Sequence, residues 1–384
     1  MVERSAALPL EGIKVVELGS SVAAPYAGLV LAELGAEVIK VEKPGKGDDA
    51  RGWGPPFHDG VGTIFRSLNR NKRSVVVDLA DQAQRERLRR LIVEEADVLI
   101  QNMRPGQAEK LNFGAESLLA DNSRLIHATI AAFGQVGPLS GRPGYDPLMQ
   151  AFGGLMSVTG EEGRPPIRIG TSLIDMGSGM WVVIGVLAAL LRRSITGKGG
   201  VVGASLYETA LGWMLYHVTA YAATGEEPKP QGSGSPYIAP YGAFRTKDGT
   251  LIVTAGNNSL FQKLAAVLGH PQWADDLRFH TNGDRVRNRA LLEDLMNESL
   301  SLKSTKQWIA DLEAAGVPCA PIQTVGQVVT HEQTQALDIL RRSADGQLTF
   351  VGLPLTFEGG RPDRNEAVPD LGADNDVVFE RAGE

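Results

Sequence analysis

Apolar and polar positions follow two rhythms along this chain, and the first half switches between them repeatedly. Residues 13–18 form a continuous apolar-rich run ending at Gly19, the pattern of a parallel strand buried on both faces. Residues 23–34 carry a helical period, and 37–41 return to a strand pattern. A third strand is expected at 74–79, then a charged helix through Glu94, then strands at 98–100 and 125–130. Strands separated by helices imply βαβ units, a parallel sheet and right-handed crossovers. Residues 167–173 read as a further strand, leading into a long apolar helix that runs from Ile174 to Leu191.

The texture changes after two breaker-rich stretches, 196–200 and 225–236. Residues 242–255 predict a hairpin around Lys247-Asp248-Gly249, with Asp-Gly as the turn signal. Helices are expected near 260–269, 288–300 and 304–315. The last has Ser304 and Gln307 as a capping box and Gly316 then Pro318 as its stop. The chain therefore divides into 1–224 as the first part of a large domain, 225–325 as a smaller α+β domain, and 326–384 as a return to the large one.

Composition narrows the function. With 43% apolar and 22% charged residues over 384 positions, the chain can build a substantial core. A net charge of −7 disfavours nucleic acid as the main partner, while leaving room for a small phosphorylated ligand. Cys319 is the sole cysteine, so no intrachain disulfide forms and a reducing compartment fits. The six histidines show no metal spacing, so no metal site is expected. The sequence opens without a basic-then-apolar leader, and the apolar stretch 176–191 is short for a membrane span and broken by glycines. A cytoplasmic protein with no membrane partner is the expectation.

The opening strand–turn–helix invites a dinucleotide reading, with Glu42 where a ribose-binding acid would sit. The glycine fingerprint is absent between Gly19 and Gly28, which argues against nicotinamide. Lys43 and the run Asn71-Lys72-Arg73 are either phosphate-holding cations or ordinary solvated ones. Asp175 falls where a strand gives way to a helix. There it is either an N-cap or a carboxylate nucleophile with helix N–H groups beside it, and position alone leaves both open. The loop Gly232-Ser233-Gly234-Ser235-Pro236 is a linker or a flexible cover over a site.

Taken in order, these residues resemble the class III CoA-transferases, the formyl-CoA transferase, carnitine CoA-transferase and α-methylacyl-CoA racemase family. The matching stretches are 10–17, 35–42, 71–74, 101–106, 134–138, 239–244 and 255–258. The most specific are Arg142-Pro143-Gly144-Tyr145-Asp146 and Asp175-Met176-Gly177-Ser178-Gly179. The resemblance implies a large Rossmann-like domain built from both chain ends, a small domain, and two subunits threaded as an interlocked homodimer. It implies that Asp175 is the aspartate that becomes acylated, with Asp146 an acidic active-site residue and Tyr145 the aromatic residue before it. Lys43, Lys72, Asn102, Met103 and Lys110 fall where the family contacts CoA, and Arg73 joins them as a neighbouring cation. Gly232 and Gly234 belong to the active-site loop.

CoA and its thioesters are then substrates, and no prosthetic group or metal is needed, because one thioester is exchanged for another. Val22 stands where formyl-CoA transferase has a glutamine, and that enzyme's run of four glycines is reduced to Gly232-Ser233-Gly234. These departures point away from formyl and oxalyl groups, towards members that handle succinyl-CoA and C4–C6 dicarboxylates. Two alternatives stay open: an α-methylacyl-CoA racemase and a non-catalytic CoA-binding subunit. Racemases of this family place a histidine directly before the second acid, where this chain has Tyr145.

Overall fold

Six segments with buried side chains line up as one parallel sheet: β1 (Lys14–Leu18), β2 (Glu37–Glu42), β3 (Lys72–Val76), β4 (Val98–Gln101), β5 (Ile126–Ala131) and β6 (Gly200–Ser205). Their order is β3-β2-β1-β4-β5-β6, so the direction of strand addition reverses between β1 and β4. Such a reversal opens a crevice at the carboxyl ends of the strands, the usual ligand position in an open α/β sheet. The computed structural model describes residues 8–343, 345–358 and 360–380.

The strands expected at 13–18, 37–41, 98–100 and 125–130 are present within a residue or two. The third lies at Lys72–Val76, a little before the expected 74–79. β6 has no counterpart in the sequence pattern. It is an edge strand that exposes Val201 and Gly203, so no continuous apolar run marks it. Residues 167–173 form no strand: 167–172 run as irregular chain, largely exposed, and Leu173 already opens the helix that follows.

Helices α1 (Ala23–Glu33), α2 (Gln82–Glu94), α3 (Asp146–Phe152), α4 (Leu173–Thr196) and α5 (Leu206–Trp213) accompany the sheet. α4 is the one helix among the described residues that is long and apolar enough to cross a membrane, and it packs here on α1, α3, α5, β5 and β6. A core of Val16, Ile39, Val75, Leu88, Leu91, Leu99 and Phe113 fills one side of the sheet. The end of the chain closes the open edge at β3. Asp374 accepts from the Ser74 amide at 2.8 Å, and the Asn375 side chain accepts from the Val76 amide at 2.8 Å.

The chain separates into two compact units. The first comprises the described residues up to Gly154, Ile169–Leu215 and those from Glu332 onward; the second comprises Leu155–Arg168 and Tyr216–His331. In the second, β7 (Tyr241–Arg245), β8 (Thr250–Thr254) and β9 (Cys319–Pro321) make an antiparallel sheet in the order β9-β8-β7. Helices α6 (Asn258–Val267), α7 (Arg289–Leu300) and α8 (Thr305–Ala314) cover it over a core that includes Phe244, Phe261, Phe279, Met296 and Trp308. The expected Ser304/Gln307 capping box opens α8. Cys319 lies half-buried on β9, where burial pushes its thiol above the usual range, the opposite of what a nucleophilic thiol needs.

Candidate active site

Asp175 is the third residue of α4, in the first turn of the helix rather than at its cap. Ser172 holds the N-cap position but makes no side-chain capping bond. The cap comes from a different helix. Asp146, the first residue of α3, is 2% exposed, and its Oδ2 accepts the Ile174 amide at 2.7 Å and the Asp175 amide at 3.3 Å. Its Oδ1 accepts from Gln150 Nε2 at 2.6 Å. Pro147 suits the first turn of α3, where an N–H would have no helical partner. Gly144 lets the preceding chain lie close to the end of β5, because a Cβ there would stand 2.9 Å from that of Ala132.

Two carboxyl groups thus share one buried corner. Burial and the charge of Asp146 push Asp175 from its ordinary 3.8 up to about 7, so at neutral pH it is divided between acid and carboxylate. The N–H groups that sequence position offered as oxyanion donors are already engaged. The Ile174 and Asp175 amides serve Asp146, and the Leu173 and Met176 amides bond the carbonyls of Thr171 and Ser172.

Small residues after Asp175 let its helix sit close to two others. A Cβ at Gly177 would lie 3.0 Å from Thr209 and Trp213 on α5, and one at Gly179 would lie 2.7 Å from the Ala23 carbonyl oxygen at the start of α1. Ser178 Oγ meets Thr209 Oγ1 at 2.7 Å. The motif Asp175-Met176-Gly177-Ser178-Gly179 is therefore a packing device as well as a carrier of the acid.

The first turn of α1 leads back to a cleft at the carboxyl ends of β1 to β4, with a volume of about 370 Å³. Gly19, Ser20, Lys43, Asp78, Met103 and Gln107 are among its walls. The turn forming one wall is held from two sides. Asn102 accepts from the Ser20 amide at 3.1 Å and donates to the Ser20 carbonyl at 2.9 Å. Asp48 accepts from the Ser21 amide at 3.1 Å, holding Ser21 at φ 72°, a left-handed conformation costly for a residue other than glycine.

The buried acid pair and the cleft both belong to the first compact unit. The model of CoA-transferase family III matches residues 10–375. The chain belongs to CoA-transferase family III. It is 36% identical to an acetyl-CoA:oxalate CoA-transferase of Acetobacter aceti, over 91% of this chain and 90% of that one. It is also 36% identical to the succinyl-CoA:glutarate CoA-transferase of Homo sapiens, over 85% of this chain and 74% of that one. A crystal structure of a CAIB/BAIF family protein from Brucella suis superimposes with a TM-score of 0.87 at 38% identity, covering 98% of this chain and all of that one.

As a family III CoA-transferase, the chain places some expected residues at the cleft and others away from it. Lys43 and Met103 line it. Lys43 is 56% exposed at its side chain and pairs with Asp49 at 2.5 Å, a surface contact of little net worth. Lys110 is exposed at the end of the short helix Gln107–Lys110, whose first residue lines the cleft. Asn102 uses both ends of its amide on Ser20 and so shapes the wall, while its NH₂ keeps a second hydrogen.

Lys72 and Arg73 require correction. Both sit at the amino end of β3, and neither lines the cleft. Lys72 Nζ is fully buried and donates to Glu17 Oε2, the Pro25 carbonyl and Asn69 Oδ1 at 2.8, 2.8 and 2.9 Å. Burial and neighbouring Lys40 push it down to about 8 against the pull of Glu17. Arg73 pairs with Glu37 at 3.1 Å. Glu42, read as a possible ribose acid, is buried against Arg51, the Asp48 amide and Ser74.

Tyr145 is 59% exposed at the N-cap position of α3, beside the acid pair in sequence but clear of its hydrogen bonds to Ile174 and Gln150. Gly232 and Gly234 belong to the second unit, where the Gly232 amide donates to the Gly160 carbonyl and the Gly234 amide to that of Gln231. His127, the histidine inside the parallel sheet, bonds the Phe113 carbonyl at 3.0 Å and is a packing residue. Gln150 is the site residue that the sequence did not single out. Its i, i+4 spacing from Asp146 would have marked it had α3 been recognised as a helix.

Proposed function

We propose that the chain moves CoA from an acyl-CoA donor, succinyl-CoA above all, to a free dicarboxylic acid of four to six carbons, with Asp175 as covalent carrier. The observation that carries the reading is the buried Asp146–Asp175 pair, in which Asp175 is raised to about 7. Such a carboxylate is more nucleophilic than an ordinary one and still half ionised at neutral pH.

In the first step an Asp175 carboxylate oxygen bonds the thioester carbonyl carbon, the C–S bond breaks, and CoA leaves as thiolate. The thiolate then attacks the aspartyl carbonyl of the mixed anhydride, releasing the donor acid and leaving an aspartyl-CoA thioester. The acceptor carboxylate displaces the thiolate to form a second anhydride. The thiolate next attacks the acceptor's carbonyl, which yields the new acyl-CoA and returns Asp175. Lys43 meets a CoA phosphate at the cleft, with Met103 and Lys110 along the same ligand.

The names of relatives support a dicarboxylic acid without fixing its length, since they span oxalate and the longer glutarate. The departures at Val22 and in the glycine loop favour the longer acids. Exposed apolar side chains along α4, with Trp181, Ile184, Leu191 and Ile195 49%, 53%, 68% and 81% exposed, support an interlocked homodimer in which a second copy covers them.

A matrix of acyl-CoA donors against free acids, read by mass spectrometry, tests the reading. The expected outcome is a new acyl-CoA from succinyl-CoA and a C4–C6 diacid. Deuterium uptake at the α-carbon of a 2-methylacyl-CoA without transfer to any acid would make the chain a racemase instead.

A further inference from the structure

Gln150 is fully buried on α3, one turn after Asp146. Its Oε1 accepts the Ile169 amide at 2.8 Å, and its Nε2 donates to Asp146 Oδ1 at 2.6 Å. The orientation of the side-chain amide follows from chemistry. A backbone N–H only donates, so the carbonyl end must face Ile169, and the NH₂ end is left for the carboxylate. Asp146 is thereby held at both oxygens, Oδ1 by Gln150 and Oδ2 by the start of α4. Glutamate at position 150 would set acceptor against acceptor, and leucine would leave a buried carboxylate oxygen and the Ile169 amide without these partners.

We infer that Gln150 is a positioning residue that clamps the Asp146 carboxylate onto the N-terminus of the helix carrying Asp175, and so fixes the charge the nucleophile faces. The inference rests on the transferase reading for its consequence in turnover, but not for its geometry. Titratable groups on the elements packed around α4 are Asp146 and Tyr145 at α3, Tyr26 and Glu33 on α1, Tyr207 and Glu208 on α5, and His127 on β5. Of these, Asp146 is the one whose charge acts on Asp175.

Gln150→Glu separates positioning from simple bracing. When protonated, the introduced carboxyl reproduces the amide, donating to Asp146 and accepting from Ile169. When ionised, it still accepts from Ile169 but repels Asp146. The activity of this variant relative to wild type should stay within about threefold at pH 6 and fall by at least about thirtyfold at pH 9. Bracing alone would give a ratio that does not change with pH, which would overturn the inference. Gln150→Leu should lower kcat by about thirtyfold or more with KM for acyl-CoA within about threefold. It should also speed hydrogen exchange in the peptide that begins α4, because the Asp146 cap loosens. If the wild type transfers no CoA at all, the transferase reading fails while the exchange measurement still decides the clamp. Unchanged exchange in a folded Gln150→Leu protein would overturn it.

Discussion

Asp146 caps the helix that carries Asp175, taking the Ile174 and Asp175 amides on one carboxylate oxygen at 2.7 and 3.3 Å. One acid therefore does two things to the other. It fixes the backbone from which Asp175 projects, and it opposes the ionisation of Asp175 with its own charge.

The first consequence concerns rate against pH. The attacking species is the Asp175 carboxylate, so kcat/KM should climb about tenfold per pH unit below 7 and level off above it. The limb should be centred near the Asp175 value of about 7, which pH–rate measurements on a nonionising donor would locate. A plateau extending unbroken down to pH 5 would mean that Asp175 is not the group being titrated.

The second concerns stability. Asp175 holds its proton in the folded chain up to about 7 and loses it in the unfolded chain near 3.8. Between those values the folded state binds more protons, so this group's contribution falls as pH rises through the window and is constant above it. The full penalty at pH 8 is on the order of 4 kcal/mol. Asp175→Asn removes it. Denaturant unfolding should find that variant more stable than wild type at pH 8 by up to that amount, with the gap closing towards pH 4.

The two lysines should part company. Lys43→Ala should weaken CoA binding by about 1 kcal/mol, roughly fivefold in Kd, and more at low salt than at high. Lys72→Met leaves Glu17 buried with one cation fewer and should destabilise the fold by about 3–5 kcal/mol, with CoA affinity of the folded protein unchanged. Calorimetric titration alongside thermal unfolding distinguishes these outcomes.

At Gly179 an added methyl would meet the Ala23 carbonyl oxygen at 2.7 Å, a backbone atom that cannot swing aside. Gly179→Ala should cost about 1–3 kcal/mol and raise KM for acyl-CoA, because the start of α1 also borders the Ser20 wall of the cleft.

Much of the parallel sheet was legible in the sequence for a plain reason. Strands buried on both faces are rich in apolar residues, and Val15-Val16 in β1, Val38-Ile39 in β2, Val98-Leu99-Ile100 in β4, and Ile126 and Ile130 in β5 supply that signal. β6 escaped because an edge strand made of Gly200, Val201, Val202, Gly203, Ala204 and Ser205 carries a weaker one. The span 167–173 misled because Ile167, Ile169 and Leu173 alternate with polar residues, yet Ile167 is 53% exposed and pairs with no strand. In the site, Asp175 and Asp146 were visible as motif residues. The bond between them was not, since it joins residues 29 positions apart through a helix start. Lys72 was misplaced for the same reason: its partner Glu17 lies 55 positions away on β1, and only the fold turns that cation inward.

The most direct test of Asp175 as the covalent carrier is to trap what forms on it. The protein is incubated with an acyl-CoA donor, treated with hydroxylamine or borohydride, digested and measured by peptide mass. The expected result is a modified peptide containing Asp175 in the wild type, and none in a folded Asp175→Asn variant that still binds CoA but has lost turnover. A label on another residue, or an Asp175→Asn protein that keeps more than a trace of transfer, would contradict it.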